Sequence, residues 1–290
     1  MILRGEAPAK INRELRVGER RDDGYHEVLS RIVSVDLTDT IEVTPGKGFL
    51  DFSCEGLAAP RDERNLVVQA AQRLAARLGI PPDARIRLEK RIPAGAGLGG
   101  GSSDAAAALL LLSNLWRDAA PLSERALAEV ASELGSDVPY FLAGGEADVR
   151  GRGEKVSPRE DGLPEDLVLF LPPFPLSTRD VYGSYDRLLP GGSPLPERME
   201  IETSGRYFGP NDLASAVLET NREMGKILDD ARKAAPEVTI SGSGSAVVLR
   251  GAGINSMRSL REANPGARLV ACRTMRRDEH RRRIGTSGGF

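Results

Sequence analysis

The chain has 290 residues, enough for about two domains at roughly 150 residues each. Forty basic and 42 acidic residues leave a net charge of −2, which argues against a dedicated nucleic-acid binder. Two cysteines, Cys54 and Cys272, exclude a disulfide scaffold or a zinc module, and the longest apolar run, 105–112, is far short of the ~18 residues that cross a bilayer. The N-terminus has neither a signal-type apolar region nor basic transit character, so a cytoplasmic protein without membrane contact is expected.

β-Branched, partly alternating runs through Ile32, Val33, Val35, Leu37, Ile41 and Val43 predict strands across the first fifty residues. A helix is predicted over Leu66–Leu78, with Leu66, Ala70, Leu74 and Leu78 on one face and Gly79 and Pro81-Pro82 as its stop. Ile86, Leu88 and Ile92 then alternate with Arg85, Arg87 and Arg91, the pattern of a strand with one apolar and one charged face. A glycine-rich stretch follows at 93–103 and runs into an alanine- and leucine-rich helix ending near Trp116. Ser123 caps a further helix with Leu127, Val130 and Leu134 on its apolar face and Gly135 as its stop.

The polar stretch 154–164 is read as a domain boundary, dividing the chain into 1–157 and 158–275. Beyond it come a strand at 167–171, a turn-rich section to Pro210 and one long helix at 212–235. Short strands at 238–240 and 246–249 flank Ser241-Gly-Ser-Gly-Ser245, and a last strand covers 267–272. The basic segment 276–290 is expected to be a disordered, solvated tail, with His280 in solvent.

Five glycines fall within residues 95–101, followed by Ser102 and Ser103 and then a helix. Such a loop brings main-chain N–H groups and the positive end of a helix to one point, which is an anion site, with phosphate its usual occupant. Gly95, Gly97 and Gly100 fit a dinucleotide fingerprint in spacing. However, the preceding strand alternates with charges, and another helix start lies where the acidic residue should be. A P-loop needs a Gly-Lys-Ser/Thr ending, which is absent. A nucleotide-phosphate loop of another design remains, against a flexible linker as the bland alternative.

Taken with that loop, five further segments carry a resemblance: Ala-Pro-Ala-Lys-Ile-Asn (7–12), Asp-Gly-Tyr-His-Glu (23–27), Gly-Ser-Asp-Val-Pro (135–139), Asn-Asp-Leu (211–213) and Ile-Ser-Gly-Ser-Gly-Ser (240–245). In order and content the chain resembles the GHMP small-molecule kinases, and among them those acting on 4-diphosphocytidyl-2-C-methyl-D-erythritol. The resemblance implies an α+β protein with an N-terminal half like ribosomal protein S5 domain 2 and a ferredoxin-like C-terminal half, the ligands lying between them. It also implies ATP as co-substrate with Mg²⁺ accompanying it, and a cytidine-diphosphate acceptor phosphorylated on its 2-hydroxyl in isoprenoid precursor synthesis. No nucleic-acid or membrane partner and no metal-ligating residue is expected, and the chain should be a monomer or weak homodimer. The alternatives are a GHMP kinase for mevalonate, homoserine or a sugar, or a nucleotide-binding protein that has lost catalysis.

On the same resemblance, Asp137 is the base that takes the acceptor proton and Lys10 its partner; an N-terminal helix cap is the bland reading of Asp137 and a solvated side chain that of Lys10. Pro93, Ala94, Gly95, Ala96, Gly97, Leu98, Gly99, Gly100, Gly101, Ser102 and Ser103 would hold ATP. Asn65 would touch adenine unless it merely caps its helix. Asn12 would bond the acceptor, and Tyr25, His26 and Tyr182 would hold its pyrimidine, by stacking on its face and reading its edge. Ser241, Gly242, Ser243 and Gly244 form a second glycine loop. Arg13-Glu14 stands where the family has an apolar pair.

Overall fold

The structure, a computed structural model, describes residues 1–118 and 122–285. Two long strands, β1 (Leu3–Arg20) and β2 (His26–Pro45), pair antiparallel along most of their length. The other edge of β2 is shared: β4 (Ala84–Lys90) pairs with its C-terminal part and β5 (Glu146–Gly151) with its N-terminal part. β3 (Asp51–Gly56) joins β4 in parallel, and β6 (Lys155–Pro158) joins β5 antiparallel, completing six strands.

Helices α1 (Leu66–Leu78), α2 (Gly100–Leu115), α3 (Glu124–Leu134) and α4 (Val138–Ala143) pack on this sheet around one apolar core. The sequence of α2 is apolar all round, and every residue from 105 to 112 is buried, as suits a helix between sheet and helices.

The second unit contains β7 (Asp166–Leu171), α5 (Thr178–Leu188), α6 (Ile201–Ser204), α7 (Ala214–Thr220), α8 (Glu223–Ala234), β8 (Glu237–Ile240), β9 (Val247–Arg250), α9 (Ile254–Ala263) and β10 (Arg268–Arg273). Its sheet runs β10-β7-β9-β8, antiparallel throughout, which is the split βαβ order of a ferredoxin-like unit. Ile11 and Val33 of the first sheet share a buried cluster with Leu169 and Val248 of the second and with Leu98 of the glycine loop. The α+β architecture of two packed units follows the expectation.

Four expectations fail locally, the first being the turn-rich section before Pro210, which holds helix α5 started by the Ser177 cap. The long helix at 212–235 is two helices, because Asn221 takes an extended conformation and its Oδ1 accepts the Glu223 N–H, starting α8 afresh. The strip 154–164 is not all connection, since β6 lies within it and extends the first sheet. The basic tail is ordered as α10 (Arg277–Ile284), with Asp278 and Glu279 in its first turn and Arg281, Arg282 and Arg283 in its last, complementing the helix dipole. His280 and Ile284, four apart and so on one face, are fully buried against β1 and α4. Gly144 makes room for the imidazole, for a Cβ there would lie 2.2 Å from the ring. Charge density hid a two-residue apolar face. Residues 286–290 of the expected tail lie outside the described residues.

Candidate active site

The glycine loop connects β4 to α2. Gly97 (φ +72°) and Gly99 (φ +70°) need their lack of a side chain: a Cβ would fall 2.0 Å from the Ser241 carbonyl oxygen or 2.8 Å from the Phe141 ring. The loop carbonyls are held by the protein. Leu98 accepts from Lys10 N–H (3.0 Å), Gly97 from Ser241 Oγ (2.9 Å), Ala96 from Ala246 N–H (3.1 Å) and Gly95 from Leu176 N–H (2.9 Å). The first-turn N–H groups of α2 remain, and Gly99, Gly100, Gly101 and Ser102 line an open cleft of about 950 Å³ between the two units. The second glycine loop thus clasps the first, while Gly242 and Ser243 also reach the cleft.

Alternation along β1 sends Lys10 and Asn12 to the same side, into the cleft. Lys10 is buried; its Nζ donates to Asn12 Oδ1 (2.6 Å) and stands 3.7 Å from Asp137 Oδ2. Asn12 is itself fixed, its Nδ2 donating to Ser30 Oγ (2.8 Å). Asp137 occupies the N-cap position of α4, yet its side chain makes no capping bond and faces Lys10 instead.

The far end of the cleft is aromatic. His26 is buried, its Nε2 2.7 Å from Asp186 Oδ1, with the Tyr182 ring 5.1 Å away at 33° and the Tyr185 ring edge-on. Burial pushes the Tyr182 phenol far above its ordinary range, so it remains a neutral ring. Tyr25 is half exposed at the mouth, under the Arg152 guanidinium.

Pro93 to Ser102, Lys10, Asn12, Tyr25, His26, Asp137, Tyr182, Gly242 and Ser243 all line this one cleft. Asn65, Ser103, Ser241 and Gly244 do not. Asn65 caps α1, its Oδ1 accepting from Val67 N–H (2.9 Å) while Nδ2 donates to the Pro60 carbonyl (2.7 Å), so both ends of its amide are engaged within the helix start. Ser103 Oγ is buried with no hydrogen-bond partner among the described residues.

Sequence reasoning missed Asp186, whose signal was its place one helical turn after Tyr182. It also missed what Asn211 does: its Nδ2 donates to the carbonyls of Ile240 (2.9 Å) and Gly242 (2.8 Å), holding the second glycine loop. The Arg13-Glu14 pair is packed in full at a β-bulge of β1. Glu14 is buried and accepts from the Ile201 N–H (3.0 Å) and Arg16 Nε (2.9 Å), while Arg13 pairs with Glu146 and lies over the Tyr207 ring.

A chain with this pair of sheets and a glycine loop feeding a buried helix at their junction is a GHMP kinase, and residues 65–145 match the GHMP kinases N terminal domain. The chain is 44% identical to the 4-diphosphocytidyl-2-C-methyl-D-erythritol kinase of Caldanaerobacter subterraneus subsp. tengcongensis over 64% of its own length and 63% of that relative's. To the kinase of the same name from Salinibacter ruber it is 40% identical, over 85% of this chain and 89% of the other. The crystal structure of a 4-(cytidine 5'-diphospho)-2C-methyl-D-erythritol kinase superposes with a TM-score of 0.77 at 35% identity, covering 94% of this chain and 99% of that one. The chain belongs to the 4-diphosphocytidyl-2-C-methyl-D-erythritol kinase family.

Proposed function

We propose that this protein transfers the γ-phosphoryl group of ATP to the 2-hydroxyl of 4-diphosphocytidyl-2-C-methyl-D-erythritol, giving its 2-phosphate and ADP. The observation that carries the reading is the position of the Lys10–Asp137 pair, between the phosphate-suited loop and the His26–Tyr182 aromatic end of one cleft. Phosphoryl transfer asks a protein chiefly to align reactants and offset developing charge. The α2 N-terminus and glycine-loop N–H groups receive the phosphates. Asp137 accepts the proton of the acceptor hydroxyl as its oxygen attacks. Lys10, held by Asn12, keeps the carboxylate in place and offsets charge on that oxygen. His26 and the two tyrosines Tyr25 and Tyr182 take the cytosine, setting the distance from base to reacting hydroxyl.

Mg²⁺ accompanies ATP in this reading, held largely by the phosphates, and supplies charge neutralisation there. Of the two serines that end the loop, Ser102 lines the cleft and would fit such an ion, whereas Ser103 is sealed behind it. All the residues invoked belong to one chain, which suits a monomer or weak homodimer working in the cytoplasm on soluble reactants. The division into 1–157 and 158–275 then puts the glycine loop, Lys10, Asp137, Tyr25 and His26 in the first part, and Tyr182 and the second glycine loop in the second.

The test is ADP release by the purified protein with Mg-ATP and, in turn, the cytidine compound, mevalonate or homoserine. Turnover confined to the cytidine compound is expected. Turnover with another acceptor would overturn the assignment of the aromatic end, and silence with all three in a sample that binds ATP would overturn catalysis.

A further inference from the structure

Beneath the glycine loop lies a buried charged cluster that the transfer reaction does not use. The loop leaves β4 at Lys90 and returns in α2 at Asp104, and these two residues touch: Lys90 Nζ donates to Asp104 Oδ2 at 2.7 Å. Lys90 also donates to Asp39 Oδ2, and Asp39 Oδ1 accepts the N–H groups of Arg91 (2.5 Å) and Ile92 (2.9 Å), just ahead of Pro93. Relative exposures are 0% for Asp39, 4% for Lys90 and 2% for Asp104. The ammonium sits directly under the helix start, 3.1 Å from where a Cβ on Gly100 would be. One carboxyl group on β2 thus fixes the loop's outgoing strand, one on α2 fixes its return, and a lysine joins them.

The charges do not cancel. Two carboxyl groups face one ammonium where water is excluded, and a surplus buried charge is strongly disfavoured. The two carboxyls are not equivalent. Asp39 receives three donors, whereas Asp104 receives one, and its Oδ1 is buried with no partner among the described residues. We propose that Asp104 is a neutral carboxylic acid at physiological pH, and that Asp39, Lys90 and this acid form an electrically balanced clasp holding the glycine loop at the shape its phosphate ligand needs. Desolvation pushes the Asp104 carboxyl well above the usual carboxylate range, against the pull of the Lys90 ammonium and with the help of the Asp39 charge. Cys54 also lies beside the cluster, and burial keeps it a thiol. The three are positioning residues: none lines the cleft.

That the loop's ligand is ATP rests on the function proposed above, so the decisive measurement is one that does not need turnover. In the infrared difference between wild type and Asp104→Asn at neutral pH, the protonated-carboxyl C=O stretch is expected in wild type and missing from the variant; no such band overturns the neutral acid. Titration with a non-hydrolysable ATP analogue reads the clasp. Asp104→Asn keeps shape and neutrality and should bind within about twofold of wild type, close to the range of silent substitutions. Asp104→Ala should bind roughly tenfold or more weakly, the loss of one hydrogen bond to a charged group. An Asn variant as impaired as the Ala variant overturns the neutral acid, and a harmless Ala variant overturns the clasp. If the Ala variant does not fold, the band and the Asn variant still decide. Failure of the kinase assay with all acceptors leaves these readouts standing.

Discussion

The two ends of the cleft are built from different material. At the loop end the chain offers main-chain N–H groups and a helix start, and side chains matter mostly underneath, as in Phe141 beneath Gly99 and Lys90 beneath Gly100. At the aromatic end the cleft-facing groups are side chains, with His26 fixed by Asp186 and flanked by Tyr182. Main-chain N–H groups suit a ligand part shared by every nucleotide triphosphate, whereas side chains can be chosen to fit one base. Substitutions at the loop end should therefore act through backbone shape and nucleotide affinity. Those at the aromatic end should act on the acceptor alone.

The largest effect should come at the junction of the two ends. Asp137→Asn is expected to lower turnover on the order of 10³-fold while leaving ATP binding intact, as removal of a general base does. Unfolding of the variant instead, seen by circular dichroism, would make Asp137 a structural residue.

A second large effect concerns His280, which reaches the junction through α4. Its Nε2 is 2.8 Å from the Phe141 carbonyl and its Nδ1 2.9 Å from Ser34 Oγ, and burial pushes the imidazole down from 6.5 to about 4. Between those values the unfolded chain binds a proton that the native ring refuses. The native state therefore keeps this contribution above about pH 6.5 and loses it as pH falls toward 4, by on the order of 3 kcal/mol in total. Urea melts of wild type and His280→Gln across that window should diverge in slope, and parallel curves would show that the ring titrates normally.

At the loop end, Gly97→Ala forces a Cβ onto a main-chain carbonyl that cannot step aside, at a positive φ. A loss of about 3 kcal/mol in stability, or a matching loss of ATP affinity, is expected from melting and binding measurements. At the aromatic end, Tyr182→Ala should raise the KM for the acceptor roughly tenfold, the value of one base stack, and leave the KM for ATP alone. A change in both would erase the distinction between the ends. The smallest effect is Asn65→Ala, expected to cost about 1 kcal/mol of stability as a lost cap and nothing in ATP affinity. A raised KM for ATP would return Asn65 to the adenine.

Much of the chain could be read from local pattern. α1, with Asn65 ahead of it and Gly79 after it, the alternating strand β4, and α3 between Ser123 and Gly135 are set by caps and periodicity that lie within each segment. The glycine loop announced an anion site for the same reason, because positive φ and a following helix start are local properties. The break at Asn221, the strand β6 and the helix α10 could not be read so. The break at Asn221 is an Asn side chain accepting a nearby N–H beneath an unbroken apolar pattern, β6 takes the edge offered by β5, and α10 fills a pocket supplied by Gly5 and Gly144 far along the chain.

The sequence by itself determined many of the helices and strands, that one loop suits phosphate, and, through its motifs, which kinase family the chain resembles. Only the tertiary structure decided that Lys10 and Asp137, 127 positions apart, stand 3.7 Å from one another. It also decided that Asp186 holds His26, that Asn65 is occupied as a cap, and that a lysine and two aspartates lie sealed beneath the loop. The physical reason is range: capping and periodicity act over a few residues of chain, whereas burial, desolvation and ion pairing depend on which distant segments fill the space around a group.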